Sequence, residues 1–329
     1  MKILVVGLGS MGKRRARLVQ QVCPEAEVVG CDFNPDRCKG AKEELGIRTV
    51  SDMKSELLSE SGVDYVFVST SPLSHGKIIY ECLQARANVF TEINLVKDMY
   101  EENIKLAKEK GVTLYLSSTG LFRNEMAYMI NRIRGEKKPL AYTYHVGQYL
   151  PDWHPWESYK DFFIGNKRTN GCREILGIEL PWMVAAFGPI VDVKCVTSRK
   201  TDLDIEFNDA YSVIITHENG NHGSFSVDVV CRKPVRDFKV YGEDMFITWK
   251  GTPESLLEYD IETKEEKQID LYAASKKAEH VDGYNPLIVE NAYESEILDF
   301  FAVCRKEKEA EHTFEKDALI LDWIDRIEE

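Results

Sequence analysis

The chain has 329 residues, which at about 150 residues per domain calls for two domains with a sizeable core in each. Hydrophobic residues make up 43% and charged residues 29%, with only 21 glycines and 11 prolines, so disordered, collagen-like and linker-dominated chains are excluded. Forty-two basic against 55 acidic residues leave a net charge of −13, which speaks against a broad phosphate-binding surface and hence against nucleic acid as a partner.

Met1-Lys2 leads directly into an apolar strand, without the pattern of a signal peptide, and charged residues interrupt every hydrophobic stretch before it reaches the ~20 residues that span a bilayer. A soluble, cytoplasmic protein with no membrane partner is expected. Up to about Leu121 short apolar runs alternate with amphipathic ones. Ile3–Val6, Glu27–Cys31, Tyr65–Ser69, Asn88–Phe90 and Thr113–Leu116 read as strands, and Ser10–Val22, Asp36–Leu45, Ser74–Ala85 and Met99–Lys110 as helices. That alternation predicts an α/β domain over 1–121 with a parallel sheet covered by helices.

Gly7-Leu8-Gly9-Ser10-Met11-Gly12 follows the first strand and opens the first helix, the context in which a glycine-rich turn binds a dinucleotide pyrophosphate. The second strand ends at Asp32, 20 residues after Gly12, where a carboxylate can accept from the adenosine ribose hydroxyls and would repel a 2′-phosphate. NAD is therefore expected in preference to NADP. The run Lys13-Arg14-Arg15-Ala16-Arg17 reads as a solvated helix face, with Lys13 and Arg14 tuning the potential near the pyrophosphate.

From 122 to 329 the texture changes to short alternating strands: Ala141–Gln148, Val191–Ser198, Ala210–His217, Gly223–Val230, Phe238–Tyr241 and Met245–Trp249. They predict an α+β domain with an open, mainly antiparallel sheet for substrate binding and oligomerisation. Helical patterns at Asn291–Lys306 and Glu315–Ile327 follow, long enough to pack back on the first domain. The sheet's exposed face suggests a homo-oligomer, dimer or tetramer. Eight scattered cysteines show no C-x-x-C pair, and His145, His217 and His222 no metal spacing, so reduced thiols and no metal are expected.

At Val63–His75 the chain resembles the glucose–fructose oxidoreductase / inositol dehydrogenase / MocA family, with Thr70, Pro72 and His75 on that family's usual cofactor-loop positions. Val89–Leu95 is similar to its Glu-Lys-Pro-Leu turn, putting Glu92 among the cofactor-binding residues, and Leu116–Phe122 to its next strand and loop. The resemblance implies nicotinamide-dependent oxidation or reduction of a sugar or cyclitol hydroxyl. It also implies departures. The family's lysine is Ile93 here, and in Gly171–Trp182 only Gly177 matches a segment that usually carries Asp, Gly, His and Asp, the other three being Ile175, Glu179 and Trp182.

Some titratable group must still move the hydroxyl proton. Glu179, on the aligned histidine position, is the first candidate, since a carboxyl desolvated against nicotinamide and Trp182 suits that work. Glu174 lies on the same helix, with Arg173 beside it to bind a substrate carboxylate or phosphate. The segment Tyr149–Lys160 brings Trp153, Trp156 and Tyr159 together with His154, which suits a sugar face or nucleobase, while Lys160 and Arg168 suit an anionic group. His154 is the rival acid or base. The sequence thus points to an NAD-dependent oxidoreductase of a sugar-derived, anionic or nucleotide-linked substrate. An epimerase or lyase that keeps its NAD bound, and a non-catalytic dinucleotide sensor, are the alternatives.

Overall fold

The computed structural model describes residues 1–153, 157–272 and 289–329. In chain order the first elements are β1 (Lys2–Val6), α1 (Ser10–Val22), β2 (Glu27–Cys31), α2 (Pro35–Leu45), β3 (Arg48–Val50), α3 (Met53–Leu57), β4 (Tyr65–Val68), α4 (Pro72–Gln84), β5 (Asn88–Thr91), α5 (Tyr100–Lys110) and β6 (Leu114–Leu116). They continue with α6 (Asn124–Gly135), β7 (Ala141–Gly147), α7 (Gly171–Phe187), β8 (Ile190–Ser198), β9 (Ala210–His217), β10 (His222–Asp228), β11 (Val235–Tyr241), β12 (Phe246–Trp249), β13 (Leu257–Asp260), β14 (Glu265–Gln268), α8 (Glu290–Cys304) and α9 (Phe314–Glu328).

The chain divides into two compact units, Met1–Thr119 with Tyr293–Leu319, and Gly120–Ala292 with Ile320–Glu329. The first contains a six-stranded sheet in the order β3-β2-β1-β4-β5-β6, parallel throughout. Every residue of β1 is buried, as a strand covered on both faces requires. Its order reverses between β1 and β4, the point at which doubly wound sheets bind ligands outside the carboxyl ends of their strands. Phe67, Phe90, Tyr115 and, from α8, Phe300 stack and cross edges in its core.

The second unit is built on an eight-stranded sheet, β14-β13-β12-β11-β7-β10-β9-β8, antiparallel except for the central pair β7 and β10. Tyr142, Tyr144, Phe225, Phe238 and Val240 point to one face, where ring contacts join them to Trp182 and Phe187 of α7. The opposite parity carries exposed positions such as Val196 and Ile214. Among the described residues no helix is long and apolar enough to cross a membrane.

One expectation is overturned within α1. Arg14 and Arg15 are 3% and 0% exposed, so the basic run is not a solvated face. Arg15 crosses the inside of the first unit to bind Glu92 at 2.6 Å and Glu296 at 2.6 Å, with its guanidinium 4.5 Å above the Phe90 ring. Burial opposes its charge, but the two carboxylates outweigh burial and raise its pKa.

Candidate functional site

The cofactor loop is shaped by what cannot fit in it. Gly7 has φ +90°, a conformation that L side chains rarely adopt, and a Cβ there would stand 2.5 Å from the Ser69 carbonyl oxygen. A Cβ on Gly12 would lie 1.7 Å from the Gly7 oxygen, so turn and helix close on each other only with glycine at both places. A Cβ at Gly9 would meet nothing within 4 Å. This is open space beside the start of α1, where Ser10 and Met11 follow, with no side-chain cap and no acidic residue in the first turn. Space, a helix N-terminus and absence of negative charge fit a pyrophosphate.

Asp32 closes β2 and is 5% exposed. Its Oδ2 accepts from the Leu8 amide at 2.8 Å and its Oδ1 from the Asn34 amide at 2.9 Å, so it ties the glycine loop to the end of the second strand. Two bonds leave lone pairs for ribose hydroxyls. The Arg37 guanidinium lies 3.8 Å from the same carboxylate.

Thr70 and Pro72 stand in the loop from β4 to α4, Pro72 as the first residue of the helix. The Thr70 hydroxyl is 2.8 Å from that of Ser74. His75 lies beneath the loop, 1% exposed, and burial pulls its imidazole below the ordinary pKa despite hydrogen bonds to Asn94 and the Thr70 carbonyl. Glu92 is held by Arg15, so both residues reach the loop ends from within the domain.

In the second unit α7 starts at an Asn170 cap that accepts from the Arg173 amide at 2.8 Å. The Arg173 side chain is spent on α9, at 2.6 Å from Asp325 and 2.5 Å from Glu328. Glu179, 0% exposed, accepts from the Tyr144 hydroxyl and the Trp182 indole at 2.7 Å each, and pairs with Arg236. With three donors fixed on it, this carboxylate is anchored between helix and sheet. Burial and the neighbouring Glu179 charge push the Tyr144 hydroxyl well above its usual range.

Glu174 differs from both. Its Oε2 is cut off from solvent and has no hydrogen-bond partner, and burial, with no charged group offsetting it, pushes the carboxyl up to about 8. Trp153 donates its indole N–H to the Gln148 carbonyl at 2.9 Å and packs at the start of α7 near Gly171. Tyr159 is half-buried and Arg168 exposed, while Lys160 pairs with Asp204 at 2.6 Å. His154 and Trp156 lie outside the described residues.

Arg236, Tyr144, Arg123 and Glu125 were not singled out from sequence. Arg123 binds Glu125 at 3.0 Å and the Gly251 carbonyl at 2.6 Å, and it and Arg236 both lie over the Trp249 ring. A signal existed for Arg236: β11 begins at Val235, earlier than expected, and puts Arg236 in the inward parity of Phe238 and Val240. Among the described residues no group of three His, Cys, Asp or Glu could hold a metal.

Residues 1–118 match the GFO_IDH_MocA profile, described as an oxidoreductase family with an NAD-binding Rossmann fold. The chain is 32% identical over 111 residues to myo-inositol 2-dehydrogenase of Thermotoga maritima, covering 32% of this chain and 33% of that protein. It is also 32% identical over 108 residues to the NAD(+)-dependent scyllo-inositol 2-dehydrogenase of Bacillus subtilis, covering 32% and 31%. The chain thus spans about a third of the length of the curated relatives it matches. Across its whole length it shares the fold of UDP-N-acetylglucosamine 3-dehydrogenase from Acidithiobacillus ferrooxidans, with TM-score 0.77, 18% identity, and 100% and 96% of the two chains covered. Levoglucosan dehydrogenase in complex with NADH and L-sorbose has TM-score 0.80, 16% identity, and 99% and 95% covered. Over residues 1–118, therefore, the chain is similar to the glucose–fructose oxidoreductase / inositol dehydrogenase / MocA family of oxidoreductases, and beyond that region the likeness is one of fold.

Proposed function

We propose that the protein moves a hydride between NAD and the carbon bearing a hydroxyl or keto group of a sugar-derived substrate. The glycine loop of β1 and α1, closed by Asp32 within a region that matches an NAD-binding oxidoreductase family, carries this reading. Bound NAD supplies the hydride acceptor. The chain's own share is to hold the pyrophosphate on the start of α1, to bind the adenosine ribose with Asp32, and to take the hydroxyl proton.

For that last task Glu174, Glu179 and His154 remain the candidates, and what supports Glu174 is an oxygen that no group of the protein engages. A base needs a lone pair with no prior engagement and a pKa near the working pH. Glu174 offers both, whereas Glu179 is committed to Tyr144, Trp182 and Arg236. Arg173 and Lys160, expected to bind an anionic group, are engaged by carboxylates, which favours an uncharged cyclitol or sugar over an acidic one. The inositol dehydrogenase names of the relatives point the same way. Trp153 and Tyr159 would line its apolar face.

The test is a thermal-shift and NADH-absorbance screen of cyclitols, sugars, sugar acids and nucleotide sugars with NAD. A hydroxyl compound that raises the melting temperature with NAD and forms NADH is expected. With it, Glu174→Gln should lower kcat by about 10²–10⁴, and Glu179→Gln and His154→Gln by much less. Absence of NAD binding would end the reading, and a Glu174→Gln variant of undiminished rate would move the proton to another residue.

A further inference from the structure

At the carboxyl ends of β4 and β5 lies a buried polar array. His75 Nδ1 is 2.6 Å from Asn94 Oδ1 and 3.2 Å from the Thr91 hydroxyl, and its Nε2 is 2.9 Å from the Thr70 carbonyl oxygen. Thr91, His75 and Asn94 are 0%, 1% and 3% exposed. Taking three such groups from water is costly unless each finds a partner, so the array fixes one arrangement of the two loops. The residue after His75 is gripped as well. A Cβ on Gly76 would stand 2.4 Å from the Asp98 oxygen, and the Gly76 carbonyl accepts from Asn103 Nδ2 at 2.9 Å.

The loop from β5 to α5 ends in Met99, at φ 62° and ψ 23°, a left-handed conformation for a residue with a Cβ, and without a side-chain cap on α5. Such a residue is strained and persists where its surroundings over-determine it. The loop carrying Glu92 and Ile93 is therefore held in an imposed shape against the first turn of α4.

The sheet order supplies the consequence. Asp32 closes β2 on one side of the reversal between β1 and β4, and the two latched loops close β4 and β5 on the other. A dinucleotide lying across that reversal has adenosine on the Asp32 side and nicotinamide on the other. We infer that the His75–Asn94 pair is a positioning latch, which holds the Thr70 loop and the Ile93 loop in the arrangement that receives the nicotinamide half of the cofactor. The inference rests on the proposed use of NAD.

Calorimetric titration of the full chain with NAD and with ADP-ribose, which has the same adenosine and pyrophosphate but no nicotinamide, tests it. Asn94→Leu should weaken NAD binding about tenfold while ADP-ribose affinity stays within about twofold. If Asn94→Leu does not fold, His75→Gln, which keeps a donor for the Thr70 carbonyl but not the Asn94 contact, should show the same split. Equal losses for both ligands would mean that the array merely supports the domain, and unchanged NAD affinity would mean that it positions nothing. Either result overturns the latch. An unmodified protein that binds neither ligand removes the cofactor reading, and the latch with it.

Discussion

The glycine loop of the first unit and the helix α7 of the second both carry residues that the sequence marks, but they differ in where their partners lie. Around the loop the hydrogen-bond partners lie within 24 residues, Leu8 and Asn34 bonding to Asp32, and Gly12 packs on Gly7, while Ser69 comes from farther along the chain to close on Gly7. On α7 they are far, with Arg236 reaching Glu179, and Asp325 and Glu328 reaching Arg173. The loop can be broken by changing its shape, and the helix by leaving one of its charges alone.

The largest effect is expected on α7. Arg236→Met leaves the Glu179 carboxylate inside the unit without its cation, and such a loss typically costs about 3–5 kcal/mol. Urea unfolding at neutral pH should show it. Adding Glu179→Gln should restore much of the loss, because the neutral amide no longer needs the guanidinium. A cost under about 1 kcal/mol for Arg236→Met would show that Tyr144 and Trp182 suffice to hold the carboxylate.

Slightly smaller is the expected effect of Gly12→Ala in the loop. Its Cβ would be placed 1.7 Å from the Gly7 oxygen, so the helix must move off the turn. A destabilisation of about 3 kcal/mol and loss of measurable NAD binding should follow, read by unfolding and calorimetry. A variant that keeps its NAD affinity would mean that the turn tolerates a wider opening.

The same contrast explains what was legible beforehand. The β-α alternation, the parallel first sheet and the mainly antiparallel second follow from hydrophobic period and turn residues, which act over a few positions. The role of Gly7 and Gly12 is of that kind. The environment of Glu179 is not, since Tyr144 and Arg236 come to it only through the register of β7 against β11. Arg14 and Arg15 misled for the same reason. Five consecutive residues with four positive charges look solvated until Glu92 and Glu296, from distant parts of the chain, take one of them inside.

Glu174 is the acid of α7 with an oxygen that no partner takes. Its carboxyl ionises near 4.5 in the unfolded chain and near 8 when folded. Between those values the native state holds a proton that the unfolded state has lost, so stability falls as pH rises through that window. Glu174→Gln removes this slope. Relative to the unmodified protein, the variant should be stabilised at pH above about 8, on the order of 2 kcal/mol after allowance for partial exposure, with the difference vanishing below about 4. Parallel unfolding curves across pH would show that the buried oxygen has found a partner in solution.

The smallest effect is expected at Asp32, where the change is local and confined to choice of ligand. Its charge is what a 2′-phosphate would meet, and Arg37, 3.8 Å away, is the cation it holds. Asp32→Ser keeps a hydroxyl that can accept from one of the two loop amides, so the glycine turn should survive with a loss of about 1 kcal/mol. With the carboxylate gone, Arg37 becomes available to a phosphate. The ratio of NADP to NAD dissociation constants should fall roughly tenfold, mainly through tighter NADP binding. Titration of both cofactors into both proteins decides it. If the unmodified protein binds NADP the more tightly, the carboxylate serves the loop alone, and even the region whose hydrogen-bond partners lie nearer in sequence has been assigned the wrong ligand.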